Sequence, residues 1–189
     1  TDGNSQMLVA SYNGKVVRFP EDTVRPMGRT ATGVRAIKLD EDGKDRVVGM
    51  ICVEEGSKDS VLVISEKGYG KRTLLDDENG EPIYRITNRG GKGVKTMNLT
   101  DKTGNLIGLD AVNDDMDLML ITKAGTAIRM AMNTISVLGR ATQGVKLIEL
   151  QKRNDTLMFG CTVPKEDAEE VAETTNDSIE QTENNNEQL

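Results

Sequence analysis

The chain has 189 residues, 36% hydrophobic and 29% charged, with 3% aromatic residues, no tryptophan and no histidine. That composition suits a soluble globular chain with a core of Val, Ile, Leu and Met, and it excludes a helical membrane protein, since no apolar run approaches the roughly 20 residues a bilayer requires. The formal charge of −7 hides an asymmetry: residues 164–189 hold nine acidic and one basic residue, whereas 1–163 hold 23 basic and 22 acidic, so any basic face must come from placement rather than excess.

In chain order, Met7-Leu8-Val9-Ala10-Ser11, an Asn13-Gly14 pair and Lys15-Val16-Val17-Arg18-Phe19 predict a β-hairpin, with Asn-Gly accepting positive φ at both turn positions. The pattern recurs at Val61-Leu62-Val63-Ile64-Ser65 before Gly68 and at Leu118-Met119-Leu120-Ile121-Thr122 before Gly125. Four-residue apolar runs without alternation predict strands buried on both faces. In each copy a hydroxyl residue (Ser11, Ser65, Thr122) lies three before the glycine and an arginine (Arg18, Arg72, Arg129) four after it.

A basic loop follows each hairpin: Arg29-Thr30-Ala31-Thr32-Gly33-Val34-Arg35, Arg89-Gly90-Gly91-Lys92-Gly93-Val94-Lys95 and Arg140-Ala141-Thr142-Gln143-Gly144-Val145-Lys146. A further strand closes each unit, at residues 47–53, 106–112 and 157–163. The hairpin glycines are 54 and 57 residues apart, a propeller-blade spacing with about four strands per unit. The reading is therefore all-β: residues 1–163 form three blades (about 7–53, 61–112 and 118–163), and 164–189 form an acidic disordered tail. Closed propellers have about four to eight blades, so three imply an open arc or further blades before residue 1, and the abrupt start on a strand favours the second.

The cations recur in register: Arg18, Arg72 and Arg129; Arg29, Arg89 and Arg140; Arg35, Lys95 and Lys146. Repetition around an arc puts equivalent residues on equivalent faces, so these residues predict a curved cationic rim for a polyanion. Duplex phosphates fit it, because each neutralised phosphate releases counterions without regard to sequence. The loop glycines would bring backbone N–H groups close to phosphate oxygens, and loops without aromatic residues argue against single strands. The competing structural explanation is that the glycine turns a blade corner and the arginine pairs with a neighbouring acid.

Three stretches, Met27 to Arg35, Gly68-Tyr69-Gly70-Lys71-Arg72-Thr73 and Ile135 to Val145, resemble the C-terminal domain family of DNA gyrase A, part of a type II topoisomerase. The resemblance covers nearly all of 7–163 and implies a β-pinwheel, a propeller-like fold whose blades exchange strands, here the last three blades plus the acidic tail. It implies a module that binds and bends duplex DNA without sequence preference and presents it for ATP-dependent negative supercoiling. With the repeated cations, Lys71, Lys92 and the loop glycines Gly90 and Gly91 complete the expected DNA contacts. Thr87 to Gly93 match the last five positions of the family's Gln-Arg-Arg-Gly-Gly-Lys/Arg-Gly box and lack the first two. The family's cleavage tyrosine, metal-binding acids and ATP site lie elsewhere, so no catalytic residue, metal or cofactor is expected in this piece. ATP and Mg belong to the intact enzyme, as do the partners, gyrase B and a second copy of gyrase A. The location implied is cytoplasmic, with no membrane partner.

Other chemistry finds little footing. Histidine, the commonest general base and zinc ligand, is absent. Arg72 stands where a phosphate-binding loop needs Ser or Thr, and Asp40 to Gly43 and Asn113 to Asp117 stop short of a calcium loop. Cys52 and Cys161, in apolar strands, read as buried core. The alternatives kept are the equivalent domain of topoisomerase IV and a propeller-type protein-interaction scaffold, the latter disfavoured by the missing tryptophan.

Overall fold

The computed structural model describes residues 1, 3–41, 43–54, 56–150 and 154–165. Most of the expected acidic tail, from residue 166 on, lies outside the described residues, while Pro164 ends a strand.

Three hairpins form the frame: β1 (Gln6–Ser11) with β2 (Lys15–Pro20), β4 (Ser60–Ser65) with β5 (Tyr69–Leu74), and β8 (Met116–Thr122) with β9 (Ala127–Ala131). The first turn differs from the expected one. Gly14 has φ +77°, but Asn13 does not have positive φ, and Gly14 N–H donates to Ser11 O at 2.9 Å. The loop therefore has three residues, with glycine alone in the left-handed region, and Gly68 (φ +80°) and Gly125 (φ +84°) repeat it. The hydroxyl three residues before the glycine caps this loop. Ser65 Oγ accepts from Tyr69 N–H at 3.3 Å and Thr122 Oγ1 from Thr126 N–H at 3.2 Å, whereas the buried Ser11 Oγ has no partner among the described residues.

On the other side of each first strand lies a third, antiparallel one: β3 (Val47–Val53) on β1, with β7 (Leu106–Val112) on β4 and β11 (Leu157–Pro164) on β8. The fourth strand comes from the next repeat. β6 (Val94–Lys95) pairs with β2 and β10 (Val145–Lys146) with β5. The sheet orders are thus β3-β1-β2-β6, β10-β5-β4-β7 and, with three strands among the described residues, β11-β8-β9. This exchange is why two-residue strands suffice. Each covers an edge that would otherwise present unpaired N–H and C=O groups.

The sheets stack in chain order, with β3 against β7 and β7 against β11. Alternate residues of one strand then serve two cores. Leu8 and Ala10 face the second blade together with Val61, Val63 and Met97, while Met7 and Val9 face outward with Phe19 and Ile37. From β4, Leu62 and Ile64 turn to the third blade, meeting Leu118, Leu120, Met132 and Ile135. The double burial expected for β1 and β4 is met, whereas Met119 and Ile121 of β8 are only half-buried, because no further sheet covers that face among the described residues. Both cysteines correct the sequence reading: Cys52 is exposed and Cys161 half-buried. Each lies on a strand that ends its sheet (β3, β11), where Met50, Met158 and Phe159 are also more than half exposed.

Candidate nucleic-acid interface

The three basic loops touch one another in sequence. Gly90 N–H donates to Ala36 O at 2.6 Å and Lys38 N–H to Gly91 O at 2.8 Å, joining the first loop to the second. Asn98 N–H donates to Thr142 O at 2.9 Å and Arg140 Nη1 to Lys95 O at 2.9 Å, joining the second to the third. The loops form one belt rather than three separate clusters. Strand exchange holds it down: Thr96 N–H donates to Gly14 O at 2.9 Å and Leu147 N–H to Gly68 O at 2.8 Å, equivalent bonds in successive units.

The loop glycine serves that docking. A Cβ on Gly93 would lie 2.5 Å from Val16 O, and one on Gly144 would lie 2.7 Å from Gly70 O, each the backbone of the preceding blade. Gly33, in a loop with no such blade beneath it among the described residues, has nothing within 4 Å. At Gly93 and Gly144 the close approach is to the backbone of the preceding blade and not to phosphate.

The predicted cations fall into two groups. Arg29, Arg35, Lys92, Lys95 and Lys146 are exposed along the belt, and Arg89 and Arg140 are partly so. Arg89 Nε donates to Thr23 O at 3.1 Å. Lys146 pairs with Glu149 at 2.6 Å, which raises the lysine's pKa, although an exposed pair of this kind holds weakly. These seven side chains present charge to solvent on connected loops, an arrangement able to bind an extended anion.

The second group is turned inward and corrects the sequence expectation. Arg18, 6% exposed, donates from Nη1 to Leu75 O and Tyr84 O at 3.3 Å and to Asp76 Oδ1 at 2.9 Å. Arg72, 7% exposed, donates from Nε to Ile135 O at 2.9 Å and from Nη1 to Asp114 Oδ1 at 2.5 Å. Both bond to carbonyls of the following repeat, so the recurring arginine clamps blade to blade. Arg129 instead pairs with Asp117 at 2.7 Å and bonds Pro164 O at 2.9 Å, within its own unit. Lys71 is fully buried. Gly90 is likewise unavailable as a phosphate donor, its N–H being given to Ala36 O, and Gly91 sits in the same junction.

Replacing Arg72 by Met should therefore act through stability. An orphaned Ile135 carbonyl costs about 1–3 kcal/mol, which thermal denaturation reads as a lower Tm, with the salt dependence of duplex binding unchanged. A salt slope lowered by about one at constant Tm would return Arg72 to the contact surface.

Arg25 and Arg85 were missed in the sequence. Each lies four residues before the first arginine of its loop and is exposed, and Arg85 lines a shallow groove with Arg18, Thr87, Asn88, Lys92 and Gly93. That register was visible in two of the three repeats. Among the described residues no group of three His, Cys, Asp or Glu side chains converges as a metal site, and no helix is long and apolar enough to cross a membrane.

Comparison with known proteins places this geometry. The family model for the DNA gyrase C-terminal domain, beta-propeller, matches residues 6–54, 59–113 and 117–159. The A subunit of DNA gyrase from Staphylococcus aureus strain MRSA252 is 44% identical over 173 residues, 92% of this chain and 18% of that protein. The protein of the same name from strain NCTC 8325 / PS 47 is 45% identical over 170 residues, again 18% of its length. This chain thus spans less than a fifth of these relatives. The solved structure of a DNA gyrase A C-terminal domain superposes with a TM-score of 0.72 at 26% identity, over 84% of this chain and 50% of that one. The C-terminal domain of a DNA topoisomerase IV gives 0.77 at 20% identity, over 94% and 53%, a likeness of fold.

Proposed function

The chain belongs to the DNA gyrase C-terminal domain family, and from that premise we propose that its loop belt binds duplex DNA through the phosphates, without sequence preference, and continues a wrap around the blades. The observation that carries this is the hydrogen-bonded continuity of the three loops bearing Arg29, Arg35, Arg89, Lys92, Lys95, Arg140 and Lys146. Such a belt follows a curved backbone, and its three loops carry no aromatic side chain on which a base could stack. The module is non-catalytic. Cleavage, strand passage and the use of ATP and Mg belong to other segments of the intact enzyme, which would use the wrap for ATP-dependent negative supercoiling in the cytoplasm. Gyrase B and a second copy of gyrase A would be engaged through segments that the longer relatives possess and this chain does not cover. Topoisomerase IV is the second reading. It is favoured by the TM-score of 0.77, but the 44% identity to gyrase A outweighs a resemblance of fold at 20%. For the blades we propose the boundaries read from the repeats, about 7–53, 61–112 and 118–163, with β6 and β10 each lent to the preceding sheet.

The test is a salt titration of binding to a duplex of about 40 base pairs, where a log–log slope on the order of several released ions is expected. Residues 164–189, net −8, should compete with DNA for the belt, so their deletion should tighten binding most at low salt, where charges are least screened. Absence of binding at low salt would refute the belt as a DNA track.

A further inference from the structure

Lys71 occupies β5 three residues after Gly68, where the other repeats carry Val17 and Ile128. A lysine at an apolar position needs a reason, and its contacts supply one. The side chain is fully buried, and Nζ donates to Gly139 O at 2.6 Å, Arg140 O at 2.7 Å and Thr142 Oγ1 at 3.0 Å. An ammonium has three N–H donors, and all three are spent on one turn of the third basic loop. The neighbouring Thr73 Oγ1 donates to Leu138 O at 2.9 Å, just before that turn.

We propose that Lys71 is a positioning residue for DNA: from beneath, its ammonium pins the Gly139–Thr142 turn, sets Arg140 toward a phosphate, and gains a counter-charge only when that phosphate arrives. The second part rests on the reading of the belt as a DNA surface.

No carboxylate hydrogen-bonds or ion-pairs with Lys71 among the described residues. The charged group facing it from the third loop is Arg140, of like sign. From the segment leading into the second loop the titratable group is Tyr84, whose hydroxyl meets Thr96 Oγ1 at 2.7 Å and whose pKa burial raises further above its ordinary 10.0. The partner strand β4 offers Val63, and β10 offers only Lys146, directed to Glu149 at the surface. Burial first, and Arg140 second, lower Lys71 from 10.5 to about 8. A buried cation without a counterion is costly, and a phosphate on Arg140 supplies the missing negative charge. The bound state then holds its proton more tightly than the free state. Binding takes up a proton, and so weakens as pH rises through about 8.

Two readouts on the full chain separate the parts. Duplex affinity at pH 7, 8 and 9 and constant ionic strength should fall roughly tenfold for the wild type across that range, as a one-proton linkage allows. It should stay flat for Lys71→Met and, as a second variant that keeps the buried lysine, for Arg140→Gln. Amide hydrogen exchange without DNA should be about tenfold faster in residues 139–144 of Lys71→Met than in wild type, with the three hairpins unchanged. Unchanged exchange would overturn the pin. Parallel pH profiles for wild type and Lys71→Met, with DNA bound, would overturn the proton linkage. Failure of the wild type to bind duplex at any pH would instead sink the reading of the belt, leaving the pin to be judged by exchange.

Discussion

Reversing charge at Arg29, Arg89 and Arg140 together should weaken binding to unrelated duplexes by the same factor, roughly 10²–10³ at 0.1 M salt. The figure follows from counterion release, since each lost phosphate contact removes about 0.9 from the log–log salt slope and therefore about 0.9 log unit at that concentration. The slope itself should drop by about three. All three residues are first in their loops, at least partly exposed, and sit outside the apolar cores. Arg89 and Arg140 each give one hydrogen bond to a backbone carbonyl, so a small loss of stability accompanies the loss of affinity, and thermal denaturation measures it separately. Electrophoretic or anisotropy titrations on two duplexes of different sequence decide the matter. A loss confined to one sequence would mean base readout, and an unchanged slope would mean that the phosphates lie elsewhere.

Gly144→Ala and Gly93→Ala should each destabilise the fold far more than Gly33→Ala, although all three glycines hold the same loop position with φ of +82°, +71° and +87°. Positive φ alone costs an alanine about 1–2 kcal/mol, which is the whole expectation for Gly33, where a Cβ meets nothing within 4 Å. At Gly93 and Gly144 the methyl would stand 2.5 and 2.7 Å from backbone oxygens of the preceding blade, contacts that close-packed backbone cannot relieve by a rotamer change. The exchanged strand must shift, and about 3 kcal/mol or more is expected, in the range of overpacked or strained sites. For a domain of this size each kcal/mol moves Tm by about 2–4 °C, so calorimetry separates the two classes. Equal losses at all three positions would show that the glycine serves only its own dihedral angles and not blade docking.

The rim and the clamp also explain why one repeat carries arginines with opposite fates. Arg18 and Arg72 sit in strands covered on both faces, so their side chains lie in the seam between sheets and meet carbonyls there. Arg29, Arg89 and Arg140 sit in loops stacked on loops, where the outer side stays open to solvent. A buried guanidinium is tolerable only with its donors satisfied, and the following blade supplies acceptors for both, with Gln6 of its own unit taking Arg18 Nε at 3.1 Å.

Periodicity by itself determined the all-β class, the three hairpins, the double-faced strands β1 and β4, and the in-register cations, because these depend on spacing along a single strand or turn. Resemblance to the gyrase domain, carried by the loop and hairpin motifs, supplied the pinwheel. Which cations reach solvent was decided only in the tertiary structure. The residues that bury Arg18, Arg72 and Lys71 come from the next repeat, 57 to 71 residues away, and no local pattern announces them. The same holds for Gly93 and Gly144, whose need for a bare Cα is set by another blade's carbonyl, and for Cys52, whose apolar strand ends up at an open edge. A linear sequence records what each strand would bury. It does not record which neighbour will cover it, because strand exchange assigns that neighbour from the following unit.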